Sequence, residues 1–439
     1  MNTLNAIKEI VNPSKIGTEL HLPKKLELEP LPVITRRDRF SSDEENPPEQ
    51  RIRIYDPAAG KTWGYVVVDN TLRGPGLGGI RIAGDLTLAE VSRLARTMTL
   101  KNSAACLPFG GGKSGLIADP DLFLENPAFK SGLIHLFAEA AFQIDKYIPA
   151  PDMGTQEKDI QQIYELYSDK LGRANHMRGG AGRLPEKGGI PIDAWGLTAH
   201  GLFAAARVME HLEGGVPIKN ARVVVQGYGN VGARIATKLH EAGAIIAGAS
   251  DIHAALWNPK GLDIEEMNSI RRGIQGLQAY SGSVEKRFGP GGLDWLLEAP
   301  CDILVPAARP DAITARNADR IQCRMILQGA NTPSNKMTEY YLKNRRNILS
   351  LSDFIVNVGG VIGCAVELKM TADQDYKKRV EGKGLRTFME DLIYDTVSKN
   401  VMEIHQRVAA SGQKDTIFRE EAVRLARERL DPQNRECWL

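Results

Sequence analysis

The chain has 439 residues, of which 42% are hydrophobic and 25% are charged. This size and composition predict a soluble globular protein with two domains, because a single core rarely grows that large. The 56 basic and 54 acidic residues give a net charge of +2 and are scattered along the chain. Without a basic stripe, neither nucleic acid nor an anionic membrane is expected as a partner, and a small molecule is favoured.

The cysteines indicate neither a disulfide framework nor a metal site, because their number is odd and no C-x-x-C pair or His-rich neighbourhood accompanies them. They are Cys106, Cys301, Cys323, Cys364 and Cys437. No metal is therefore expected, and a reducing compartment is favoured. The sequence shows no signal segment and no apolar run long enough to span a bilayer, so a cytoplasmic location is expected.

The first predicted elements follow a polar N-terminal extension. Residues 1–50 mix prolines and charged residues without sustained periodicity, as is typical of an extension. Residues 51–56 and 63–69 flank a Pro-Ala-Ala-Gly turn, and they predict two paired strands.

A helix is predicted after these strands. Thr87 and Glu90 have the spacing of a capping box, and apolar residues then recur at helical intervals as far as Met98. One further turn of this helix would carry Lys101.

Residues 107–115, with the sequence LPFGGGKSG, predict a glycine-rich turn that encloses a ligand. The glycines would let the backbone approach closely while Lys113 reaches inward. The segment is not a P-loop, because Leu107 stands where that motif requires glycine. If Lys101 and Lys113 share a dry site, they would bind an anion, and burial and like charge would lower the pKa of Lys113. The alternative is a surface loop with solvated lysines.

The second half of the chain opens with a segment rich in glycine and basic residues at 173–189, which predicts a hinge between domains. A helix is predicted over 194–211.

A dinucleotide-binding fingerprint follows. Residues 221–226 predict a buried strand, GYGNVG at 227–232 matches G-x-G-x-x-G, and a helical pattern comes next. The motif requires this context, because the pyrophosphate binds at the helix N-terminus. Asp251 follows a second predicted strand, at 244–249, where a carboxylate can accept hydrogen bonds from a ribose. No Arg or Lys directly follows Asp251, so NAD is favoured over NADP.

Further strands are predicted at 301–306, 325–327 and 348–351, and they would complete a doubly wound sheet. From Asp373 onward the chain is charged and is predicted to be helical.

Several motifs occur in an order that resembles one family. They are GPGLGGIR at 74–81, MTLKN at 98–102, LPFGGGKSG at 107–115, PAPDMGT at 149–155, the fingerprint at 227–232, GAN at 329–331 and NVGGV at 357–361. In this order they resemble the glutamate/leucine/phenylalanine/valine dehydrogenase superfamily, over residues 52–368.

The resemblance implies an α/β fold of two domains with a cleft between them. An N-terminal α/β domain for substrate binding and oligomerisation would cover 51–189, and a Rossmann-type doubly wound dinucleotide-binding domain would cover 190–368. Residues 369–439 would be helices that pack back on the first domain. The chain would form a homo-oligomer.

The resemblance also implies roles for three charged residues. Lys101 would hold the substrate α-carboxylate, Lys113 would polarise the carbonyl or the attacking water, and Asp152 would move protons to and from the amine. Oxidative deamination to a 2-oxo acid and ammonia needs such groups, since it orients a carboxylate and transfers protons as the C–N bond breaks. Alone, Asp152 would more often be a turn residue.

The cofactor site implied by the resemblance combines the fingerprint with residues that follow later strands. These residues are Gly227, Gly229, Asn230, Val231, Gly232, Asp251, Ala307, Ala308 and Asn331.

The substrate side chain is expected to be apolar. Glutamate-specific relatives carry a lysine at the position of Leu77 and a serine at that of Cys364, and an unpaired buried carboxylate is costly. The implied substrate site consists of Lys101, Leu77, Gly78, Gly79, Ala150, Val361 and Cys364. Ordinary core packing is the alternative for Leu77 and Val361.

Two segments differ from this pattern. At 190–196 relatives carry a threonine that binds the nicotinamide amide, whereas this chain has IPIDAWG with Trp195. Residues 257–263 resemble the glutamate branch rather than the leucine branch.

The sequence therefore predicts NAD-dependent, reversible oxidative deamination of a branched-chain or aromatic L-amino acid. One alternative is a glutamate dehydrogenase whose side-chain carboxylate is held elsewhere. Another is a nucleotide-binding regulatory or scaffold protein without turnover, which the change at Trp195 keeps open.

Overall fold

The computed structural model describes residues 21–33, 47–120, 122–123, 126–171, 179–413 and 415–431. Most of the predicted extension lies outside these residues. Its described part includes one strand, β1 (Glu27–Pro30), which pairs antiparallel with the strand that begins at Gln50. The predicted extension thus contains a strand at 27–30, where pairing with a distant strand replaces local periodicity.

The first sheet has six strands in the order β1-β2-β3-β5-β4-β6. The pairs β1–β2, β2–β3 and β3–β5 are antiparallel, whereas β4 runs parallel to β5 and β6. The predicted hairpin is confirmed as β2 and β3. The remaining strands are β2 (Gln50–Tyr55), β3 (Thr62–Asn70), β4 (Gly76–Ala83), β5 (Gly110–Ile117) and β6 (Tyr147–Pro151).

The glycine-rich segment is a central strand of this sheet, so the prediction of a turn is wrong. β5 lies between β3 and β4 with both edges hydrogen-bonded. A Cβ at Gly111 would overlap Thr99 Oγ1 and the Ala95 carbonyl of the helix that covers the strand. The lack of a side chain at Gly111 therefore permits a close approach of helix to sheet rather than a bend.

Three helices pack on the first sheet, α1 (Leu88–Ala104), α2 (Pro127–Ala141) and α3 (Glu157–Leu171). The start of α1 is confirmed, since the Thr87 hydroxyl accepts a hydrogen bond from the Glu90 N–H at 3.2 Å. The carboxylate of Glu90 instead accepts from Arg81, at 2.7 Å.

The second sheet has seven strands in the order β10-β9-β8-β7-β11-β12-β13. The strands β8, β7, β11, β12 and β13 are parallel, and β9 and β10 extend the edge antiparallel. This is the predicted doubly wound sheet. Its strands are β7 (Arg222–Gln226), β8 (Ile245–Ser250), β9 (Ala255–Trp257), β10 (Glu285–Arg287), β11 (Ile303–Pro306), β12 (Met325–Leu327) and β13 (Leu349–Leu351).

The predicted helix over 194–211 is two helices, α4 (Ile192–Trp195) and α5 (Leu197–Met209). Gly196 separates them with a φ of 65°, a left-handed conformation that ends the first helix. Further helices around the second sheet are α6 (Asn230–Glu241), α7 (Ile264–Ile270), α8 (Gly289–Trp295), α9 (Lys336–Arg346) and α10 (Asp353–Val356).

The predicted hinge is described only from residue 179 onward, and this part is tied to a later helix. The buried carboxylate of Glu367 accepts from Arg183 Nε at 2.7 Å and from the Ile190 N–H at 3.0 Å. Glu367 lies on α11 (Gly359–Ala372). The segment before the second sheet is thus fixed against a helix that follows that sheet.

The C-terminal part is helical, as predicted, with α12 (Gln374–Gly382), α13 (Leu385–Ala410) and α14 (Phe418–Glu428). Arg429 Nη1 and Asn400 Nδ2 both donate to the Ala104 carbonyl, at 2.6 and 2.9 Å. These contacts join the tail to the end of α1. In the part of the chain that the structure describes, no helix is long and apolar enough to cross a membrane.

Candidate active site

The site lies on the face of the first sheet that α1 covers. Side chains two residues apart on a strand share a face, and the register places residues 77, 79 and 81 of β4 beside 111, 113 and 115 of β5. On the other side of β4, residues 77 and 79 pair with 148 and 150 of β6. Lys113, Leu77 and Ala150 therefore belong to one face of the sheet.

Lys113 is an almost completely buried cation on β5. Its side chain is 2% exposed, and its Nζ lies 3.0 Å from Asp152 Oδ1. Burial lowers the pKa of Lys113, the negative charge of Asp152 opposes this shift, and the positive charge of Arg81 adds to it. The alternative of a solvated surface lysine is therefore wrong for Lys113.

Asp152 follows β6 and binds a cation with each carboxylate oxygen, Lys113 with Oδ1 at 3.0 Å and Arg81 Nε with Oδ2 at 2.8 Å. Burial alone would raise the pKa of Asp152, but Lys113 and Arg81 outweigh burial and hold that pKa well below its usual range. The two cations therefore favour the ionised form of the Asp152 carboxylate.

Lys101 joins the first sheet to the second half of the chain. It lies near the end of α1, is 6% exposed, and donates from Nζ to Asn331 Oδ1 at 2.8 Å. Burial lowers the pKa of Lys101 to about 8, with Asp353 opposing the shift and Lys113 contributing to it. The charge of Lys113 thus lowers the pKa of Lys101, whereas the like charge that lowers the pKa of Lys113 is Arg81 rather than the predicted Lys101.

The residues predicted to surround the substrate side chain are buried. Leu77, Ala150, Val361 and Cys364 are at most 8% exposed and belong to one hydrophobic cluster. Because the cluster is the main core of the molecule, core packing stays open for Leu77 and Val361. Burial raises the pKa of the Cys364 thiol, so this cysteine is an apolar group rather than a nucleophile.

Gly78 and Gly79 allow groups of the site to approach β4. A Cβ at Gly79 would lie 2.7 Å from Asp152 Cβ, so only a glycine leaves room for this carboxylate. The Gly78 carbonyl accepts a hydrogen bond from Tyr147 Oη at 2.8 Å.

The fingerprint loop connects β7 to α6. Gly227 has a φ of 92°, and a Cβ there would lie 2.8 Å from Ala308. The Ala307 N–H donates to the Gln226 carbonyl at 2.7 Å, which places Ala307 and Ala308 beside the loop. α6 begins after Gly229. No heavy atom lies within 4 Å of the position that a Cβ would take at Gly229, and no side chain caps the helix. These residues fit a dinucleotide, because uncapped N–H groups at a helix N-terminus favour a pyrophosphate.

Asp251 already has backbone partners. Its Oδ1 accepts from the N–H groups of His253 and Ala254 at 2.8 and 3.0 Å, and its Oδ2 accepts from the Leu277 N–H at 2.6 Å. A carboxylate can accept further bonds, so the predicted contact with a ribose stays a prediction. The structure adds a second role, which is to hold the loop after β8.

The segment around Trp195 meets the fingerprint through a different residue. Asp193 Oδ2 accepts from Asn230 Nδ2 at 2.9 Å, whereas Trp195 packs against the main core cluster. Asn230 and Val231 are the first two residues of α6. This segment therefore places the carboxylate of Asp193 at the fingerprint loop.

Two groups of residues were missed by the sequence analysis. Arg81 binds both Asp152 and Glu90, and no local pattern indicates pairing over such a separation. Near Tyr228 of the fingerprint, burial lowers the pKa of Arg271, and the positive charges of Arg272 and Arg234 add to this shift.

Family profiles match both halves of the chain. "Glutamate/Leucine/Phenylalanine/Valine dehydrogenase" matches residues 188–435, and "Glu/Leu/Phe/Val dehydrogenase, dimerisation domain" matches 48–169. Glutamate dehydrogenase from Aeropyrum pernix is 35% identical over 323 residues, which are 72% of this chain and 74% of the relative.

Other relatives differ in the cofactor they are named for. A catabolic NAD-specific glutamate dehydrogenase of Bacillus subtilis is 33% identical, over 68% of this chain and 68% of its own. An NADP-specific glutamate dehydrogenase of Saccharolobus shibatae is also 33% identical, over 68% of this chain and 69% of its own.

Among solved structures, hetero-hexameric glutamate dehydrogenase from Thermus thermophilus in a Leu-bound form has a TM-score of 0.69 at 26% identity. The match covers 94% of this chain and 89% of that one. The chain therefore belongs to the Glutamate/Leucine/Phenylalanine/Valine dehydrogenase family and is an NAD(P)-dependent amino-acid dehydrogenase.

Proposed function

We propose that this chain catalyses the reversible oxidative deamination of an L-amino acid to its 2-oxo acid and ammonia, with L-glutamate as the first candidate substrate. The observation that carries the reaction is the buried ion pair of Lys113 and Asp152, with Lys101 close by. The support for glutamate is the group of relatives named glutamate dehydrogenase, at 33–35% identity.

Each charged group has a task in this proposal. Lys101 binds the substrate α-carboxylate, and Asp152 accepts a proton from the substrate ammonium group. A dinucleotide held at the fingerprint loop between β7 and α6 would supply the oxidation of Cα, by hydride transfer, that converts the amine to an imine. Lys113, with its lowered pKa, orients the water that adds to the imine carbon, and Asp152 returns a proton to the nitrogen as ammonia leaves. The sum is amino acid, oxidised dinucleotide and water giving 2-oxo acid, ammonium, reduced dinucleotide and one proton.

An apolar amino acid is the second candidate substrate. Leu77 shares a face of β4 with Gly79 and Arg81, both of which adjoin Asp152. Its side chain is 0% exposed, so a substrate carboxylate placed against it would be buried without a cation. This favours a leucine-like or aromatic substrate, in contrast to the names of the relatives.

Initial rates with glutamate, leucine, valine and phenylalanine separate these candidates. The absorbance of the reduced nicotinamide is the readout, with NAD and with NADP. A higher kcat/KM for glutamate supports the first candidate, and a higher value for leucine or phenylalanine supports the second. Absence of turnover with every amino acid would leave the regulatory or scaffold alternative.

Replacing Lys101 with alanine is expected to raise KM for the amino acid by roughly ten- to hundredfold, the equivalent of one lost hydrogen bond to a charged group. KM should change more than kcat, because Lys101 is proposed to bind the α-carboxylate of the substrate. Lys130→Ala is the matched control, since Lys130 is also a buried lysine, paired with Asp159 at 2.6 Å. Equal KM values in Lys101→Ala and the control would exclude the carboxylate role.

We also propose NAD as the preferred cofactor, supported by Asp251 at the end of β8. Asp251→Ala should raise KM for NAD about tenfold more than KM for NADP, because only NAD presents the free ribose hydroxyl to this carboxylate. Asp263→Ala is the control for loop damage, since Asp263 caps the nearby helix α7. If Asp251→Ala weakens both cofactors equally, Asp251 only holds its loop. A wild type that prefers NADP would point to Arg234, Arg271 and Arg272.

Finally, we propose that the chain forms a homo-oligomer. The support is the match of residues 48–169 to a dimerisation domain, whereas the Thermus thermophilus neighbour is described as a hetero-hexamer.

A further inference from the structure

Arg81 is a buried charge that the proposed reaction does not use. Its side chain is 5% exposed, and it lies between two carboxylates, with Nε 2.8 Å from Asp152 Oδ2 and Nη1 2.7 Å from Glu90 Oε1. Glu90 is in the first turn of α1, where Thr87 caps the helix. The guanidinium is therefore fixed at both ends.

Asp152 is held equally firmly. Its backbone N–H donates to Thr155 Oγ1 at 2.8 Å, and that hydroxyl donates to the Ile80 carbonyl at 2.8 Å. With its backbone fixed, the carboxylate has one oxygen for Lys113 and one for Arg81. Without Arg81, Lys113 would be the one cation in contact with Asp152 among the described ion pairs.

We propose that Arg81 is a positioning residue, which holds the carboxylate of Asp152 against Lys113 and offsets its negative charge there. The inference rests on the proposed function, because it assigns Arg81 a role through Lys113 and Asp152. Arg81 itself need not touch the substrate.

The positive charge of Arg81 shifts the pKa values of Lys113 and Asp152 in the same direction. It lowers the pKa of Lys113 and that of Asp152, so its removal should raise both values. Four other titratable groups interact electrostatically with members of this site: Glu90 and Lys101 of α1, Asp353 of α10 and Tyr147 of β6. Glu90 raises the pKa of Lys113. Lys113 lowers the pKa of Lys101 and Asp353 raises it, while Asp152 raises the pKa of Tyr147. These four groups remain in place in an Arg81 variant.

The test is the pH dependence of kcat/KM in the wild type, Arg81→Gln, Arg81→Lys and Arg96→Gln. In Arg81→Gln we expect the acidic limb of the profile of kcat/KM against pH to move to higher pH, because the pKa values of Lys113 and Asp152 should rise. The expected shift is about one pH unit, the lower end of the shift that a neighbouring charge produces. Arg81→Lys keeps the charge and should stay close to the wild type. Arg96→Gln breaks another ion pair between α1 and the first sheet, with Asp69 of β3, and should not move the acidic limb. An unmoved limb in Arg81→Gln, or an equal shift in Arg96→Gln, would overturn the inference.

A second readout does not need turnover. Competitive acetylation of lysines at different pH values, read by mass spectrometry, gives the midpoint at which Lys113 becomes reactive. This midpoint should rise in Arg81→Gln and fall in Glu90→Gln, because the negative charge of Glu90 raises the pKa of Lys113. Glu90 is 22% exposed, so Glu90→Gln serves if Arg81→Gln does not fold.

The two readouts separate the possible failures. If the wild type turns over no amino acid, the proposed function fails, and the labelling midpoints alone decide the role of Arg81. If the wild type is active and neither midpoint moves in the stated direction, the inference about Arg81 fails and the proposed function stands.

Discussion

Lys113→Ala is expected to lower kcat by roughly 10²–10⁴-fold, the usual contribution of a positioned acid–base group, while binding of NAD survives. Lys113 is buried on β5 against Asp152, whereas the fingerprint glycines lie between β7 and α6. The loss should therefore be confined to the chemical step. Steady-state kinetics measure kcat, and calorimetric titration measures the affinity for NAD.

Lys130→Ala is again the matched control, since it also removes a buried lysine from an ion pair. It should lower the midpoint of thermal unfolding and leave kcat near that of the wild type. Near-normal turnover in Lys113→Ala, or equal losses in both variants, would contradict the assignment of Lys113.

Leu77→Lys is expected to raise the ratio of kcat/KM for glutamate to that for leucine by about ten- to hundredfold, the value of one hydrogen bond to a charged group in a site of low exposure. Leu77 lies on the face of β4 that carries Arg81, and Arg81 contacts Asp152. With glutamate as substrate, a lysine at this position would pair with the side-chain carboxylate. With leucine as substrate, the charge of the same lysine would be buried without a partner, which disfavours binding.

Leu77→Met is the control for this change, because it keeps the apolar volume without adding a charge. Both variants need kcat/KM for glutamate, leucine and phenylalanine, together with their thermal stability. An unchanged ratio in Leu77→Lys would mean that Leu77 does not face the substrate side chain, and the proposal of an apolar substrate would fail with it.

The second sheet could be predicted from the sequence because its signals are local. The buried run before the fingerprint, the glycine loop and the helix after it form one continuous segment, and they appear as β7 and α6. Short apolar runs likewise predicted β11, β12 and β13.

The first sheet was harder to predict because its signals are long-range. Four glycines of β5 suggested a turn, but they lie in a central strand, and Gly111 permits the close packing of α1 on that strand. Residues 27–30 lack periodicity and become a strand only by pairing with β2. The cause in both cases is tertiary packing that outweighs local preference.

The candidate site was predicted in part. The family motifs directed attention to Lys101, Lys113 and Asp152, and the structure brings these residues together. Arg81 was missed because an arginine in a strand resembles an ordinary polar residue, and its partner Asp152 is 71 positions away. The two indications of the substrate differ, because Leu77 indicates an apolar side chain whereas the relatives are named for glutamate.

The most direct test of the proposed reaction is the stoichiometry of its products. The wild type is incubated with an amino acid and NAD or NADP, and reduced nicotinamide, ammonia and 2-oxo acid are measured in one sample. The proposal predicts equal amounts of all three with glutamate or with an apolar amino acid. Reduced nicotinamide without ammonia, or no product from any amino acid with either cofactor, would contradict it.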